Sequence, residues 1–321
     1  GADYLVSANS CGIAGTYSPT TDTSRHNGLD TSLYLVQDYS EWFPGQRFSW
    51  QKLAAKQKQL AALGRDTAGY HAIVVLVDEL PYYKPSPVAL DFTTFLIRKE
   101  KWPAPYPELT AHIDQQWLQN TRTTNLMALH KGQTDTMIVF AAHYDHIGAY
   151  GDAAYFPGAN DNASGTALVL DLAQHYTLDA KSHYSLLFLL FSGEELGLLG
   201  SQYFVSHPRV KLDKVKMLIN LDMVGSGDKG ITVVNATENE QAFSLLQRIN
   251  KEKELLPAVK PRGPAANSDH WPFHQAGVPA MFIYTEGEYK EYHNIDDKFE
   301  NLPFSCYEEL FRLLTNFVER Y

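Results

Sequence analysis

An unbroken apolar run, LLFLLF at 186–191, stops at Ser192-Gly193 and delivers two adjacent carboxylates, Glu194 and Glu195. Six consecutive apolar residues leave no polar face, so the run reads as a buried strand, and the acids fall just past its end. The arrangement recurs: MIVFAA at 137–142 ends at His143, and the apolar run closing at Leu221 ends at Asp222. Helical patterns over 164–176 and 196–206 separate these strands. Further on come a strand at 231–234, a helix near 238–255, a strand at 279–284 and an amphipathic helix over 305–320. This alternation predicts an α/β fold, a mixed central sheet flanked by helices. The polar residues then gather at the carboxyl ends of strands, where open α/β sheets place their binding crevice.

The first 107 residues are different in character, rich in Tyr, Thr, Ser and Pro. Their clearest elements are a helix over 49–63, stopped by Gly64, and a strand over 72–77. Pro103, Pro105 and Pro107 mark a boundary, giving an N-terminal region 1–107 and a main domain 108–321.

Composition excludes several classes of function. A chain of 321 residues with 44% hydrophobic content can bury a substantial core. Its 27 Lys+Arg against 37 Asp+Glu give a net charge of -10, a poor match to a phosphate backbone, so nucleic acid is not an expected partner. No apolar run approaches the roughly 20 residues that span a bilayer, so no membrane helix is expected. Cys11 and Cys306 are far apart and no CxxC occurs, so both read as ordinary thiols, with a disulfide possible. The opening Gly1-Ala2-Asp3-Tyr4 lacks the basic and apolar regions of a signal peptide, which fits a cytoplasmic chain or a trimmed exported one.

Five segments carry residues suited to metal chemistry. In His143-Tyr144-Asp145-His146 an imidazole and a carboxylate lie two apart at a strand end, and Asp145 is placed to take the other ring proton of a metal-binding His143. In GANDNASG, 158–165, Asp161 could bridge two cations through its two oxygens; helix capping explains that segment alone more simply. Glu194 and Glu195 divide naturally into a general base, free of metal, and a ligand, although acids at a helix start also complement its dipole. Asp222 emerges from a buried strand, and His293 sits in the polar segment YHNIDD. Ser268-Asp269-His270 either caps a short helix or touches substrate. Together these segments suggest a hydrolytic centre built on two zinc ions, for which oxygen and nitrogen donors are suited, with cobalt or manganese as substitutes.

Over 108–321 the chain resembles the M28 family of zinc exopeptidases, that of the bacterial leucyl aminopeptidases. The resemblance runs in order through AAHYDHIG, GANDNASG, FSGEELGLLGS, NLDMVG, SDHWPF with AGVPA, and YHNIDD with ENL. It implies a zinc-exopeptidase fold with His143 and Asp222 on one zinc, Glu195 and His293 on the other, and Asp161 between them. Glu194 would be the base, Asp145 would orient His143, and Asp269 and Tyr292 would be candidate substrate contacts. Two departures stand out. Asn162 occupies a position where some members carry aspartate, and GPAAN before SDH lacks the tyrosine that assists the transition state in some aminopeptidases, leaving that task to Tyr292 or the zincs. The 1–107 region weakly resembles part of a protease-associated domain, which implies a cap. The implied activity is removal of N-terminal residues from peptides by an exported enzyme. A single-zinc glutaminyl cyclase or a noncatalytic peptide-binding relative would share the scaffold.

Overall fold

The computed structural model describes residues 4–6, 13–20, 32–62, 70–79, 93–102, 109–113, 121–150, 154–178 and 182–321. The chain divides into two compact units, Gly1–Thr121 and Arg122–Tyr321.

In the first unit β1 (Tyr4–Val6), β2 (Ile13–Thr20), β3 (Ser32–Asp38), β4 (Tyr70–Val77), β5 (Thr93–Arg98) and β6 (Leu109–Ile113) form one sheet in the order β1-β5-β4-β3-β2-β6. Strands β2 to β5 pair in parallel and the two edges are antiparallel. Helices α1 (Tyr39–Trp42) and α2 (Trp50–Ala62) accompany it. Leu53 of α2 is buried with Ile73, Val75, Val77 and Leu96 of the sheet, so the expected helix and strand do share a core. The expected boundary after 107 moves. Strand β6 pairs with β2, which draws the residues just after the Pro-rich segment into the first sheet, and the units separate at Thr121. Gly64, Pro103, Pro105, Pro107 and Cys11 lie outside the described residues. Cys306 is a free thiol.

The second unit is built on seven strands: β7 (Leu126–His130), β8 (Thr134–His143), β11 (Tyr184–Phe191), β12 (Val215–Leu221), β13 (Gly230–Val234), β14 (Val259–Pro261) and β15 (Ala280–Glu286), with β9 (Gly148–Tyr150) and β10 (Ala154–Phe156) forming a separate hairpin. The order is β14-β13-β15-β12-β8-β11-β7. The four central strands, β15, β12, β8 and β11, are mutually parallel, whereas β7 runs antiparallel to β11 and β13 antiparallel to β15, with β14 parallel to β13, so the sheet is mixed.

Both faces of the central strands are covered, as a run with no polar face requires. Alternation along β8 sends Ile138, Phe140 and Ala142 into one core with Leu186, Phe188, Met217 and Ile219. The intervening Met137, Val139 and Ala141 enter the other core with Leu187, Leu189, Phe191 and Leu218. Helices α3 (Gly165–Leu178), α5 (Glu240–Lys253) and α7 (Tyr307–Arg320) close the first core, and α4 (Leu199–Ser206) and α6 (His270–Gln275) the second. In α7 the buried residues Leu310, Leu313, Leu314, Phe317 and Val318 follow the helical repeat that lays one stripe on the sheet. Because the central strands are parallel, the ends of β8, β11 and β12 open on one edge. Among the described residues no helix is long and apolar enough to cross a membrane.

Candidate metal centre

His143 is the last residue of β8 and Asp222 follows the last residue of β12, its direct neighbour in the sheet. The segment 158–164, before α3, brings Asp161 between them and the segment that carries His293. His143 Nε2 lies 3.2 Å from Asp161 Oδ1 and 3.5 Å from Asp222 Oδ1. The other oxygen, Asp161 Oδ2, lies 3.1 Å from His293 Nε2, which is itself 3.1 Å from Glu195 Oε2. Thus the two oxygens of Asp161 face two different histidines, each with a further acid. All five side chains are buried.

These separations suit a shared cation. Bonds of about 2.0–2.1 Å to zinc place neighbouring donors about 2.9–3.4 Å apart, close to what is seen here. Two triads of possible donors meet at one residue: His143, Asp161 and Asp222, and His146, Asp161 and Glu195, each with its donor atoms within 4.8 Å of one another. The electrostatics agree. Burial alone would push the His293 ring down, yet Asp161 and Glu195 outweigh it and hold the imidazole up at about 10. His143 is likewise raised against burial, chiefly by Asp222 and Asp161. The acids demand positive charge among them, whether protons or a metal ion supply it.

The polypeptide around the site is tied down by side chains that accept from backbone. His143 Nδ1 faces the Asp145 backbone carbonyl at 3.0 Å, closer than the Asp145 carboxylate at 3.7 Å. A carbonyl can only accept, so Nδ1 carries a proton and Nε2 is the nitrogen that faces the acids. The carboxylate of Asp145 instead accepts the backbone N–H groups of Glu194 and Glu195. The tight turn there uses Gly193 at φ +79, a conformation that side chains disfavour. Asp297, fully buried, does for the bridging loop what Asp145 does for the glutamates: it accepts the N–H groups of Asn160 and Asp161 at 2.8 and 3.1 Å.

The capping that sequence suggested for Asp161 belongs to Asn162. Its Oδ1 accepts from Gly165 N–H, opening α3, and from Met223 N–H, while its Nδ2 donates to the Leu221 carbonyl. A carboxylate at 162 could not make that last bond, which gives the amide a physical reason. Ser268 donates to Asp222 Oδ2 at 2.6 Å and so holds that carboxylate in place.

Glu194 is half-buried beside the acids. Burial raises its carboxyl well above the ordinary range, against the pull of His143 and with reinforcement from Asp222, Asp269 and Glu195. Glu195 goes the other way: burial would raise it, but the His146 and His293 rings lying against its two oxygens overcome that and lower it. Tyr292 stacks on His293 with ring centroids 3.9 Å apart and keeps 38% of its surface exposed. Burial, aided by Asp161 and the other acids, raises its phenol, so it stays protonated.

Asp269 does not present itself to a substrate. It is fully buried, accepts the Ser201 hydroxyl at 2.5 Å, and is pushed up to about 7 chiefly by burial. It occupies the position before α6 but makes no capping hydrogen bond. Two residues near the centre escaped the sequence reading of the site: His146, although it stands in the same short segment as His143, and Asp297, although it stands in the segment of His293. Proximity in sequence to a strong candidate was the available signal in both cases.

The family model for peptidase family M28 matches residues 125–318. Aminopeptidase YwaD of Bacillus subtilis is 30% identical over 223 residues, 64% of this chain and 46% of that protein. A probable leucine aminopeptidase of Arthroderma otae is 27% identical over 208 residues, 60% of this chain and 56% of the relative. The chain thus spans about half the length of the curated relatives it matches. Among solved structures, BSAP, a zinc aminopeptidase from Bacillus subtilis, superposes with a TM-score of 0.71 at 22% identity, covering 99% of this chain and 79% of that one. Glutaminyl cyclase of Porphyromonas gingivalis gives 0.54 at 19% identity, over 61% of this chain and 76% of the other. At these identities the structural likeness is one of fold.

Proposed function

The chain belongs to peptidase family M28, and from that membership and the buried cluster we propose that it is an aminopeptidase using two zinc ions to remove N-terminal residues from peptides. The observation that carries this reading is Asp161, whose two oxygens face two separate sets of donors. His143 and Asp222 would hold one ion and Glu195 and His293 the other, with Asp161 shared. Bound there, zinc ions supply Lewis-acid polarisation of a peptide carbonyl and make water a better nucleophile.

The remaining chemistry falls to the protein's own groups. Glu194 takes a proton from the attacking water and returns it to the leaving amine. Burial supports that role, because a carboxylate raised well above its ordinary range is a stronger base. Asp145 keeps Glu194 at its station through the backbone. The protonated phenol of Tyr292, next to His293, is available to donate to the carbonyl oxygen as charge develops on it. The cluster of acids, Asp161, Glu194, Glu195 and Asp222, favours a substrate with a free, positively charged amino terminus. By family resemblance the protein is exported, which fractionation of its host would test.

Glutaminyl cyclases share the fold, but the single-zinc chemistry that the cyclase reading assumes leaves the His143, Asp161 and Asp222 set without a task. A panel of aminoacyl-arylamides run beside an N-terminal-glutamine cyclisation assay, with metal measured on the same sample, tests the choice. The proposal expects arylamide hydrolysis; cyclisation without hydrolysis would replace it with the cyclase.

A further inference from the structure

His146 has no task in the scheme above. Its Nδ1 lies 2.8 Å from Glu195 Oε1, and the imidazole is almost completely covered. Close as this approach is, it lacks hydrogen-bond alignment, and His146 Nδ1, His146 Nε2 and Glu195 Oε1 are all buried with no hydrogen-bond partner among the described residues. Two atoms that can each ligate a metal, pressed together without a hydrogen bond between them, are what a pair aimed at a common third atom looks like. Asp161 completes the triad with an oxygen in the same small volume.

The ring is also held firmly in place. It packs on the backbone of the bridging loop at Gly158, where a Cβ would come within 2.6 Å of His146 Cγ, and its edge meets His293 with centroids 5.7 Å apart. Only a glycine at 158 leaves room for this imidazole beside Asp161.

Building on the two-metal reading, we propose that His146 is a fourth protein ligand of the ion held by Glu195, His293 and Asp161. The two halves of the centre then differ in kind. Four protein donors satisfy zinc's usual tetrahedral coordination, whereas His143, Asp222 and Asp161 leave the other ion a position open to water or substrate. The Glu195 half is therefore the tight, closed ion and the His143 half the exchangeable one.

The test is stepwise loading of the metal-stripped protein with cobalt, followed by calorimetry and absorbance, on wild type, His146→Ala and His146→Cys. Wild type takes up two ions in a tighter and a weaker phase. His146→Ala should weaken the tighter phase at least tenfold and leave the weaker one within about twofold, in line with the roughly 10- to 100-fold cost of perturbing a metal site's support. His146→Cys should gain a cobalt-dependent near-ultraviolet sulfur-to-metal absorption that wild type lacks, a signature that only direct bonding produces. Two unchanged phases in His146→Ala, or a His146→Cys protein holding two cobalts without that band, would overturn the proposal while leaving the two-metal reading intact. A wild type that takes up fewer than two ions overturns both.

Discussion

Asp145 grips the turn that carries Glu194, its Oδ1 accepting the Glu194 backbone N–H at 3.2 Å while Oδ2 accepts the next N–H, that of Glu195, at 3.3 Å. One side chain thereby sets the positions of both glutamates relative to His143, whose ring proton goes to the carbonyl of the same residue. The strand end of β8 and the strand end of β11 are locked together by a residue that belongs to neither donor triad.

Asp145→Ala removes both of these acceptors while leaving the backbone carbonyl that orients His143. Turnover should fall about 10- to 100-fold from misplacement of Glu194 by a fraction of an ångström, with metal content near that of wild type. Steady-state kinetics and metal analysis on one preparation check this. Loss of metal in proportion to activity would instead make Asp145 a support of the ions.

The two glutamates should separate cleanly despite their identical chemistry. Glu194→Ala is expected to keep its metal and lose about 10²- to 10⁴-fold in kcat, the usual contribution of a general base. Glu195→Ala should lose metal and activity together, since both Glu195 oxygens lie against histidine nitrogens. The opposite pattern, with Glu194→Ala emptying the site, contradicts the assignment.

His270 gives stability a pH dependence of its own. It is fully buried against Phe282, and burial, with His274 nearby, holds the imidazole down at about 4. The folded state therefore keeps His270 neutral where the unfolded chain, at about 6.5, takes up a proton. Its contribution is complete above about pH 6.5 and is lost as pH falls toward 4, amounting to about 3 kcal/mol at the bottom of that window. Urea unfolding in the presence of chelator, on wild type and His270→Gln, reads this as a stability difference that changes between pH 7 and pH 4.5. A difference that stays constant over that range would remove His270 as a titrating group.

Strands that end in the site were the most legible part of the fold, because a run such as LLFLLF has no polar face and must be buried on both sides. Strand β7 was invisible for the converse reason: Leu126, Met127 and Leu129 stay exposed on an edge, so burial never shaped its pattern. The helix expected from 196 starts at Leu199, because Gly197 at φ 104 and Leu198 at φ 61 complete the turn that presents the glutamates. Residue types in the centre could be read from where strands stop. Partners could not: that Asp145 serves His143 through its carbonyl and the glutamates through its carboxylate is a matter of ångströms, and Asp297 reaches Asp161 across 136 positions of sequence.

The central claim is that Asp161 joins two metal sites into one, and metal stoichiometry tests it most directly. Purified protein equilibrated with excess zinc and then desalted should retain two ions per chain. Asp161→Ala should weaken both together, because each oxygen faces a different histidine. One tightly held ion in wild type, or an Asp161→Ala protein that loses one ion and keeps the other at full affinity, would contradict the account.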